Sequence, residues 1–235
     1  MKKQKTGKSV IQLLRKVSLF KGVSQNELKR VADIAKRRKY NRGEIIFTKN
    51  TLGKTIFVVI SGQIKIFAEF FSGRRKTFVY LDRGEFFGEL ALLGKPTRSA
   101  SAQALSSSEL LVIQQSDFYH ILKNCPQVSQ NLIMVLSQRL RDADKEIESL
   151  SFYGIVGRIA KVLINLEKKY GRPGPDGIVL DLALDKKDMA ELVGTVREVA
   201  TRALTKLTNL GCVRHVGKKV VITDKAKLKS IAALR

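Results

Sequence analysis

Hydrophobic and polar residues alternate with a short period between positions 44 and 113. Runs rich in β-branched and aromatic residues are separated there by glycines, which is typical of strands joined by tight turns. Short strands at such regular spacing predict a β-sandwich or jelly roll. The predicted strands cover residues 45–48, 55–61, 63–71, 76–81, 99–105 and 109–113.

A longer, helical period precedes and follows this region. Ser24 and Glu27 have the spacing of a capping box, which predicts a helix over residues 25–39. From Pro126 onwards, apolar residues recur at steps of three and four between charged neighbours, as in a coiled coil. The row consists of Ile133, Leu136, Leu140, Ala143, Ile147 and Leu150. It predicts a helix that pairs with its own copy in a homodimer, and the alternative is a helix packed on its own barrel.

Glycine marks the next change of pattern. Gly154 interrupts the apolar row and is predicted to act as a hinge before a second amphipathic helix over residues 155–169. Residues 171–177 then have the composition of a loop, and residues 178–182 have the pattern of a short strand.

The last part of the chain has the pattern of a winged helix-turn-helix. Asp185 with Asp188, and Thr195 with Glu198, have capping-box spacings that predict two short helices. A basic hairpin over residues 213–222 follows as the wing. The predicted fold class is therefore α+β. The predicted divisions are a basic disordered arm at 1–9, a β-roll or jelly-roll domain at 10–125, a dimerisation helix at 126–151 and a DNA-binding domain at 152–235.

The balance of charge indicates a polyanionic partner. Lysine and arginine number 44 and aspartate and glutamate 21, which gives a formal net charge of +23. This excess is larger than solubility needs, but on its own it does not distinguish DNA, RNA and membrane surfaces. The predicted helix-turn-helix favours double-stranded DNA.

The second helix of this motif carries residues suited to base edges. Arg197, Glu198 and Arg202 fall near one face, where arginine can bond guanine O6 and N7 and glutamate can accept from cytosine N4. The alternatives are that Glu198 only closes the capping box and that Arg202 only contacts phosphate. Contacts to the DNA backbone are predicted for Lys186, Lys187, Arg214, Lys218 and Lys219.

Charged residues interrupt an apolar stretch at residues 86–100. Gly88 permits a positive φ, and the residues after it can form one helical turn whose first amides bind an anion. Arg98 adds a guanidinium and Ser99 a hydroxyl, while Glu89 can accept a hydrogen bond from a hydroxyl beside the anion. A phosphate next to a ribose fits this pattern, and the alternative is a sheet-edge turn with a surface ion pair.

The letters F-G-E-L-A-L-L in this stretch resemble the phosphate-binding cassette of cyclic-nucleotide-binding domains. The family continues with P-R-S/T-A-T, whereas Thr97 stands here between the proline and the arginine. In the family, the glutamate accepts from the ribose 2′-hydroxyl, the arginine pairs with the cyclic phosphate, and amides after the glycine bind its oxygens. The resemblance assigns these roles to Gly88, Glu89, Leu90, Arg98 and Ser99.

Further stretches resemble the bacterial CRP/FNR superfamily of transcription regulators. They are G-E-I-I-F and I-F-V-V-I-S-G-Q-I-K-I in the strand region and A-E-L-V-G-T-V-R-E-V-A-T-R in the helix-turn-helix. The resemblance implies a homodimer on palindromic DNA with half-sites of TGTGA type, read by Arg197, Glu198 and Arg202. Val196 and Val199 replace hydroxyl residues that are usual beside this arginine and glutamate, which leaves the family's hydroxyl-to-phosphate bonds unassigned.

The base of the nucleotide depends on Ala143 and Asp144. They fall where the resemblance places a threonine and a serine that contact adenine, so both hydroxyls are missing. Asp144 can accept from adenine N6, or from guanine N1 and N2 as a pair. Cyclic AMP is the favoured effector and cyclic GMP the second candidate, while an exposed carboxylate paired with a lysine is the alternative for Asp144.

Other classes of function lack the residues they require. His120, His215, Cys125 and Cys212 stand alone, so no enzyme, metal, haem or iron–sulfur cluster is expected. A signalling receptor that does not bind DNA is the alternative, but it has no use for a recognition helix. No membrane span or signal sequence is recognised, which predicts a cytoplasmic protein. Residues 171–177 lie where related activators contact RNA polymerase, but their identities do not decide that contact.

Overall fold

The computed structural model describes residues 10–70, 73–217 and 219–233, so the predicted basic arm and Lys218 lie outside the described residues. The chain divides into two compact units. The first contains the described residues up to Ala68 together with Phe78–Arg141, and the second contains Glu69–Thr77 and the described residues from Asp142 onwards.

Antiparallel β-structure dominates the first unit. One sheet has the strand order β1-β8-β3-β6 and the other the order β2-β7-β4-β5. Phe57 and Phe87 of the first sheet share a buried core with Ile64 and Ala102 of the second, so the sheets pack face to face. The predicted β-roll is thereby confirmed. The strands are β1 (Lys36–Tyr40), β2 (Ile45–Phe47), β3 (Thr55–Ser61), β4 (Ile64–Glu69), β5 (Arg75–Leu81), β6 (Phe86–Phe87), β7 (Ser101–Ala104) and β8 (Ser108–Gln114).

Helices cover one side of this β-roll. Their apolar residues, including Leu28, Phe118 and Val128, form a second buried core with Ile56 and Phe86. The elements are a 3-10 turn (Ser18–Phe20), α1 (Gln25–Ile34), α2 (Leu90–Leu93), α3 (Gln115–Asn124) and the first part of α4 (Pro126–Phe152).

The start of α1 follows the prediction and its end does not. Ser24 and Glu27 form the capping box in both directions. The helix ends at Ile34 rather than at residue 39, because Lys36–Tyr40 pairs with β8 as an edge strand. Tyr40 alone is buried in this strand, so its sequence has no alternation that distinguishes it from a polar helix end.

Helix α4 has two apolar faces. Val128 and Leu132 are buried in the core of the first unit, and Leu136 packs against that core. Ile133 and Leu140 are each 65% exposed, and Ile147 is 62% exposed. The helix therefore packs on its own β-roll near its start and also carries an exposed apolar row along its length.

The second unit contains a winged helix-turn-helix. Its sheet has the strand order β11-β12-β10-β9, and among its buried residues are Leu163, Leu180, Leu204 and Leu228. Among the described residues, no helix combines the length and apolar content that crossing a membrane requires. The elements are α5 (Ile155–Tyr170), β9 (Gly171–Gly174), β10 (Gly177–Leu180), α6 (Lys186–Val193), α7 (Arg197–Asn209), β11 (Val213–Val216), β12 (Lys219–Ile222) and α8 (Lys225–Ala233).

Two local predictions in this unit are wrong. The predicted loop at 171–177 is a hairpin, in which Gly174 lies opposite Gly177, and the glycine and proline content marks its edge strand and turn. The Thr195 capping box does not form, because α7 begins at Arg197 after Val196 and the Thr195 amide donates to the carbonyl of Ala190. The capping box between Asp185 and Asp188 is confirmed.

Candidate functional site

The guanidinium of Arg98 lies inside the β-roll, and this residue is only 4% exposed. Its Nη1 donates to the carbonyl of Gly88 at 2.8 Å, and its Nη2 donates to both the carbonyl and the hydroxyl of Thr55 at 2.9 Å. The guanidinium carbon is 4.1 Å from the ring centroid of Phe47 and 5.6 Å from that of Phe57. Backbone oxygens and aromatic faces thus hold a buried cation in a fixed orientation.

Two glycines allow this close approach. Gly88 has φ +90°, and a Cβ there would lie 2.7 Å from Nη1 of Arg98. A Cβ at Gly53 would lie 2.6 Å from Nε of the same side chain. The loop before β3 also holds the backbone of Arg98. The amide of Asn50 donates to the Arg98 carbonyl, and the Arg98 amide donates to the carbonyl of Thr51, both at 2.8 Å. Both glycines are therefore required by contact with Arg98, and Gly88 also by its conformation.

The additional residue in the cassette is accommodated by pairing. Thr97 forms an antiparallel bridge with Leu52, and the amide of Gly53 donates to the carbonyl of Pro96 at 2.9 Å. The insertion therefore leaves Arg98 directed into the site. Ser99 next to it is exposed.

Glu89 is buried at the start of α2 and is held by a residue that the sequence analysis did not assign to the site. Arg139 of α4 donates from Nη1 to Glu89 Oε1 at 2.6 Å and from Nη2 to the carbonyl of Phe86 at 2.7 Å. Its guanidinium lies 4.8 Å from the Phe86 ring centroid. In the sequence, Arg139 is one of the charged neighbours of the apolar row, and no local motif marks its contact with a residue 50 positions away.

Two buried polar atoms of this site have no hydrogen-bond partner among the described residues. They are Arg98 Nε, which is a donor, and Glu89 Oε2, which is an acceptor. Burial lowers the pKa of Arg98, and the charge of Glu89 acts in the opposite direction. The first amides of α2, including that of Leu90, also lack intrahelical acceptors by helix geometry. A ligand that offers an anionic oxygen and a hydroxyl donor would satisfy both side chains.

The first unit brings together Gly88, Glu89, Leu90 and Arg98, with Ser99 at the edge of the site. Ala143 and Asp144 belong to the second compact unit, where both are exposed on α4.

The second helix of the helix-turn-helix presents its predicted polar face. Arg197, Glu198 and Arg202 are exposed on α7, while Ala203 and Leu204 are buried on the opposite face. Because the Thr195 capping box is not formed, Glu198 is not used in helix capping.

Arg197 lies close enough to the first helix of the motif to influence its cap. Burial disfavours ionisation of Asp185, but hydrogen bonds from Asp188 and Lys187 and the charge of Arg197 leave its pKa lowered. Lys186 and Lys187 are exposed at the start of the same helix.

Two described wing cations, Arg214 and Lys219, are paired with carboxylates in and directly after the β9–β10 hairpin. Arg214 bonds Asp176 at 2.5 Å, and Lys219 bonds Asp181 at 2.8 Å. His215 lies between them on β11, and burial together with the charge of Lys186 lowers its pKa.

Comparison with known families agrees with both halves of this description. The cyclic nucleotide-binding domain matches residues 37–125, and the Crp-like helix-turn-helix domain matches residues 157–231. The resemblances noted in the sequence are thereby confirmed.

Individual relatives match along nearly the whole chain. The cyclic AMP receptor protein of Thermus thermophilus is 34% identical over 214 residues, which is 91% of this chain and 96% of the relative. The CRP-like cAMP-activated global transcriptional regulator of Mycobacterium tuberculosis is 26% identical over 217 residues, which is 92% of this chain and 97% of the relative. The solved structure of the c-di-GMP responsive global regulator CLP of Xanthomonas campestris has a TM-score of 0.77 and 28% identity, over 86% of this chain and 100% of that chain. These relatives are transcription regulators, in agreement with the expectation that this chain is not an enzyme.

Proposed function

Since this chain belongs to the CRP/FNR family of cyclic-nucleotide-binding, DNA-binding transcription regulators, we propose that it is a homodimer whose DNA binding responds to cyclic AMP. In this proposal residues 10–125 bind the effector, residues 126–151 form the dimer helix, and residues 152–235 bind DNA in the cytoplasm.

The observation that carries the effector proposal is the pair of unsatisfied atoms in the cassette. A cyclic nucleotide supplies a phosphate that accepts from Arg98 and a ribose 2′-hydroxyl that donates to Glu89. The unsatisfied donor and acceptor, Arg98 Nε and Glu89 Oε2, have the polarities that these two groups complement. The amides after Gly88 and the Ser99 hydroxyl add contacts to the phosphate.

Cyclic AMP is favoured over cyclic GMP because relatives from two organisms are named for cyclic AMP. Asp144 would accept from adenine N6, whereas bonds to guanine N1 and N2 would favour cyclic GMP. The Xanthomonas relative is described as responsive to c-di-GMP, so that dinucleotide is a third candidate.

The DNA-binding part of the proposal assigns base contacts to α7. Arg197 would bond guanine, Glu198 cytosine and Arg202 a further base or a phosphate, while Lys186 and Lys187 contact the DNA backbone. A two-fold dimer requires a palindromic site, for which half-sites of TGTGA type are the candidates. RNA polymerase is a further candidate partner.

The exposed apolar row on α4 supports the dimer. Ile133, Leu140 and Ile147 are each more than 60% exposed, and a second copy of the helix would cover them. Ligand binding would stiffen this helix and reorient the recognition helices about Gly154, where an added Cβ would meet nothing within 4 Å.

Calorimetric titration of the full chain with cyclic AMP, cyclic GMP and c-di-GMP tests the effector. We expect binding of cyclic AMP in the wild type and none in Arg98→Ala, while Lys95→Ala, an exposed cation in the same loop, binds normally. Fluorescence anisotropy with a labelled TGTGA palindrome should show tighter binding in the presence of the nucleotide. Wild type that binds no cyclic nucleotide at about millimolar concentration, with DNA affinity unaffected by all three, would contradict the effector proposal.

A further inference from the structure

The two wing cations that the structure describes in ion pairs are both held by carboxylates from the β9–β10 side of the sheet. Asp176 lies in the turn between β9 and β10, and Asp181 follows β10. Their partners, Arg214 on β11 and Lys219 on β12, are about half exposed, as are the two acids. The pairs thus lie on the surface, where phosphate groups have access to them.

The acidic residues at the start of α6 have a different role from those beside the wing. Asp185 and Asp188 accept hydrogen bonds from helix amides in the capping box of α6. Asp176 and Asp181, in contrast, cap no described helix, and in the described part of the chain they accept hydrogen bonds from the wing cations Arg214 and Lys219. Hydrogen bonding and the charge of Lys219 lower the pKa of Asp181, which shows that the ion pair favours the charged carboxylate.

A carboxylate and a DNA phosphate make the same kind of interaction with a wing cation, since both are anions that accept its hydrogen bonds and neutralise its charge. A phosphate contact to Arg214 or Lys219 must therefore displace Asp176 or Asp181. The displaced carboxylate then remains beside the polyanion and repels it. Both steps reduce the free energy gained from contacts that do not depend on base sequence.

We propose that Asp176 and Asp181 compete with DNA phosphates for the wing cations and so reduce the sequence-independent part of DNA affinity. The inference rests on the proposed DNA-binding function. In a chain with a formal net charge of +23, this competition limits retention on non-target DNA. It also makes the Asp176 turn sensitive to DNA, because Arg214 cannot bond both partners fully at once.

Asp176→Asn and Asp181→Asn remove the charge with little change of shape. Measured by anisotropy at about 100 mM salt, each should raise the affinity for the palindrome and for random DNA by about two- to fivefold, the size expected from an exposed ion pair. Both variants should also steepen the salt dependence of binding. Glu148→Gln is the matched control, since it removes an exposed carboxylate of α4 and should leave both affinities unchanged.

A double-mutant cycle separates competition from a general charge effect. The gain from Asp181→Asn should largely disappear in a Lys219→Ala background, and that from Asp176→Asn in an Arg214→Ala background. Weaker or unchanged DNA binding by the aspartate variants overturns the inference, as does a gain that persists in full without the paired cation or that appears in Glu148→Gln. Wild type that binds no DNA contradicts instead the proposed function.

Discussion

Glu89 and Arg139 are joined by a 2.6 Å ion pair between the cassette and helix α4. The acid is 2% exposed and the arginine side chain 39% exposed, so the pair reaches from the buried site to the surface. Arg139 bonds one carboxylate oxygen and leaves the other without a partner among the described residues. The ion pair therefore fixes the orientation of Glu89, which in the proposed function accepts from a ribose hydroxyl, and connects the cassette directly to α4.

Replacing Arg139 by methionine should destabilise the first unit and weaken nucleotide binding. The change leaves a buried carboxylate without its cation, which costs about 1 to 3 kcal/mol for a charged hydrogen bond. Urea unfolding of the full chain measures the first effect and calorimetry the second. Arg141→Met is the matched control, because Arg141 is exposed on the same helix and, in the part of the chain that the structure describes, bonds the side chain of Gln138 rather than the cassette.

A second substitution tests the cause of that loss. Adding Glu89→Gln to Arg139→Met removes the uncompensated charge and should restore part of the stability but none of the nucleotide affinity. If the double variant is no more stable than Arg139→Met alone, the ion pair is not the source of the effect.

Gly88→Ala should abolish nucleotide binding. Alanine at φ +90° is strained, and its Cβ would lie 2.7 Å from Nη1 of Arg98, so the arginine must move from its position. Gly94→Ala, at the end of the same short helix, adds a Cβ that meets only an ordinary 3.7 Å contact and should bind normally. Equal affinities for the two variants in calorimetry would show that the Arg98 position is not needed for binding.

Leu140→Glu combined with Ile147→Glu should convert a dimer into monomers in multi-angle light scattering. Both residues lie on the exposed row, where dimer formation would bury unpaired charges. Leu136 is unsuitable for this test because it also packs on the β-roll core, so its substitution would disturb folding. Gln138→Glu, an exposed position on another face of α4, should leave the mass unchanged.

Arg197→Ala and Lys187→Ala should affect DNA binding in different ways. Loss of a bidentate base contact removes about 1 to 3 kcal/mol of discrimination, so Arg197→Ala should bind the palindrome little better than random DNA. Loss of a phosphate contact weakens both equally and flattens the salt dependence, as expected for Lys187→Ala. Indistinguishable behaviour of the two variants in competition anisotropy would argue against α7 as the recognition helix.

DNA affinity should rise as the pH falls from 8 towards 6, through His215. Burial and the charge of Lys186 lower its pKa in the free protein, which favours the neutral ring. Nearby phosphates favour the charged form, and binding therefore takes up a proton. Anisotropy across this pH range should show a clear dependence of DNA affinity on pH for wild type and a weaker dependence for His215→Gln.

The lowered pKa of His215 also affects the stability of the protein without DNA. Acidification should raise DNA affinity but lower this stability. Because the folded pKa lies below the ordinary value, the contribution of His215 to stability is present above that value. It is lost as the pH falls through the lowered folded pKa. Thermal unfolding without DNA should therefore show a fall in stability on the acidic side that is smaller in His215→Gln.

Local side-chain chemistry was predictable from the sequence. The capping boxes of α1 and α6 involve residues three positions apart, and the apolar row of α4 follows from helical periodicity alone. The cassette glycine and arginine were likewise recognisable, because their roles are fixed by backbone conformation and charge within one short stretch.

The features that were missed depend on hydrogen-bond partners that no recognised motif in the sequence marks. Strand β1 is a run of exposed basic residues that becomes a strand only because β8 supplies its hydrogen bonds. β9 contains proline and glycine and is held by pairing with β10. Arg139 reaches Glu89 through tertiary packing. The amide of Thr195 donates to the carbonyl of Ala190, so it does not donate to Glu198 as a capping box requires. Nothing in the local spacing reports such contacts.

The unsatisfied atoms of Glu89 and Arg98 also connect the effector to the lifetime of the protein. A nucleotide that binds only the folded chain adds to its free energy of unfolding, by about 2.7 kcal/mol at a hundred times the dissociation constant. Where proteases act on transiently opened molecules, this lowers the open population about a hundredfold. We therefore expect a cell rich in effector to retain more of this regulator as well as to activate it, so that abundance and activity rise together.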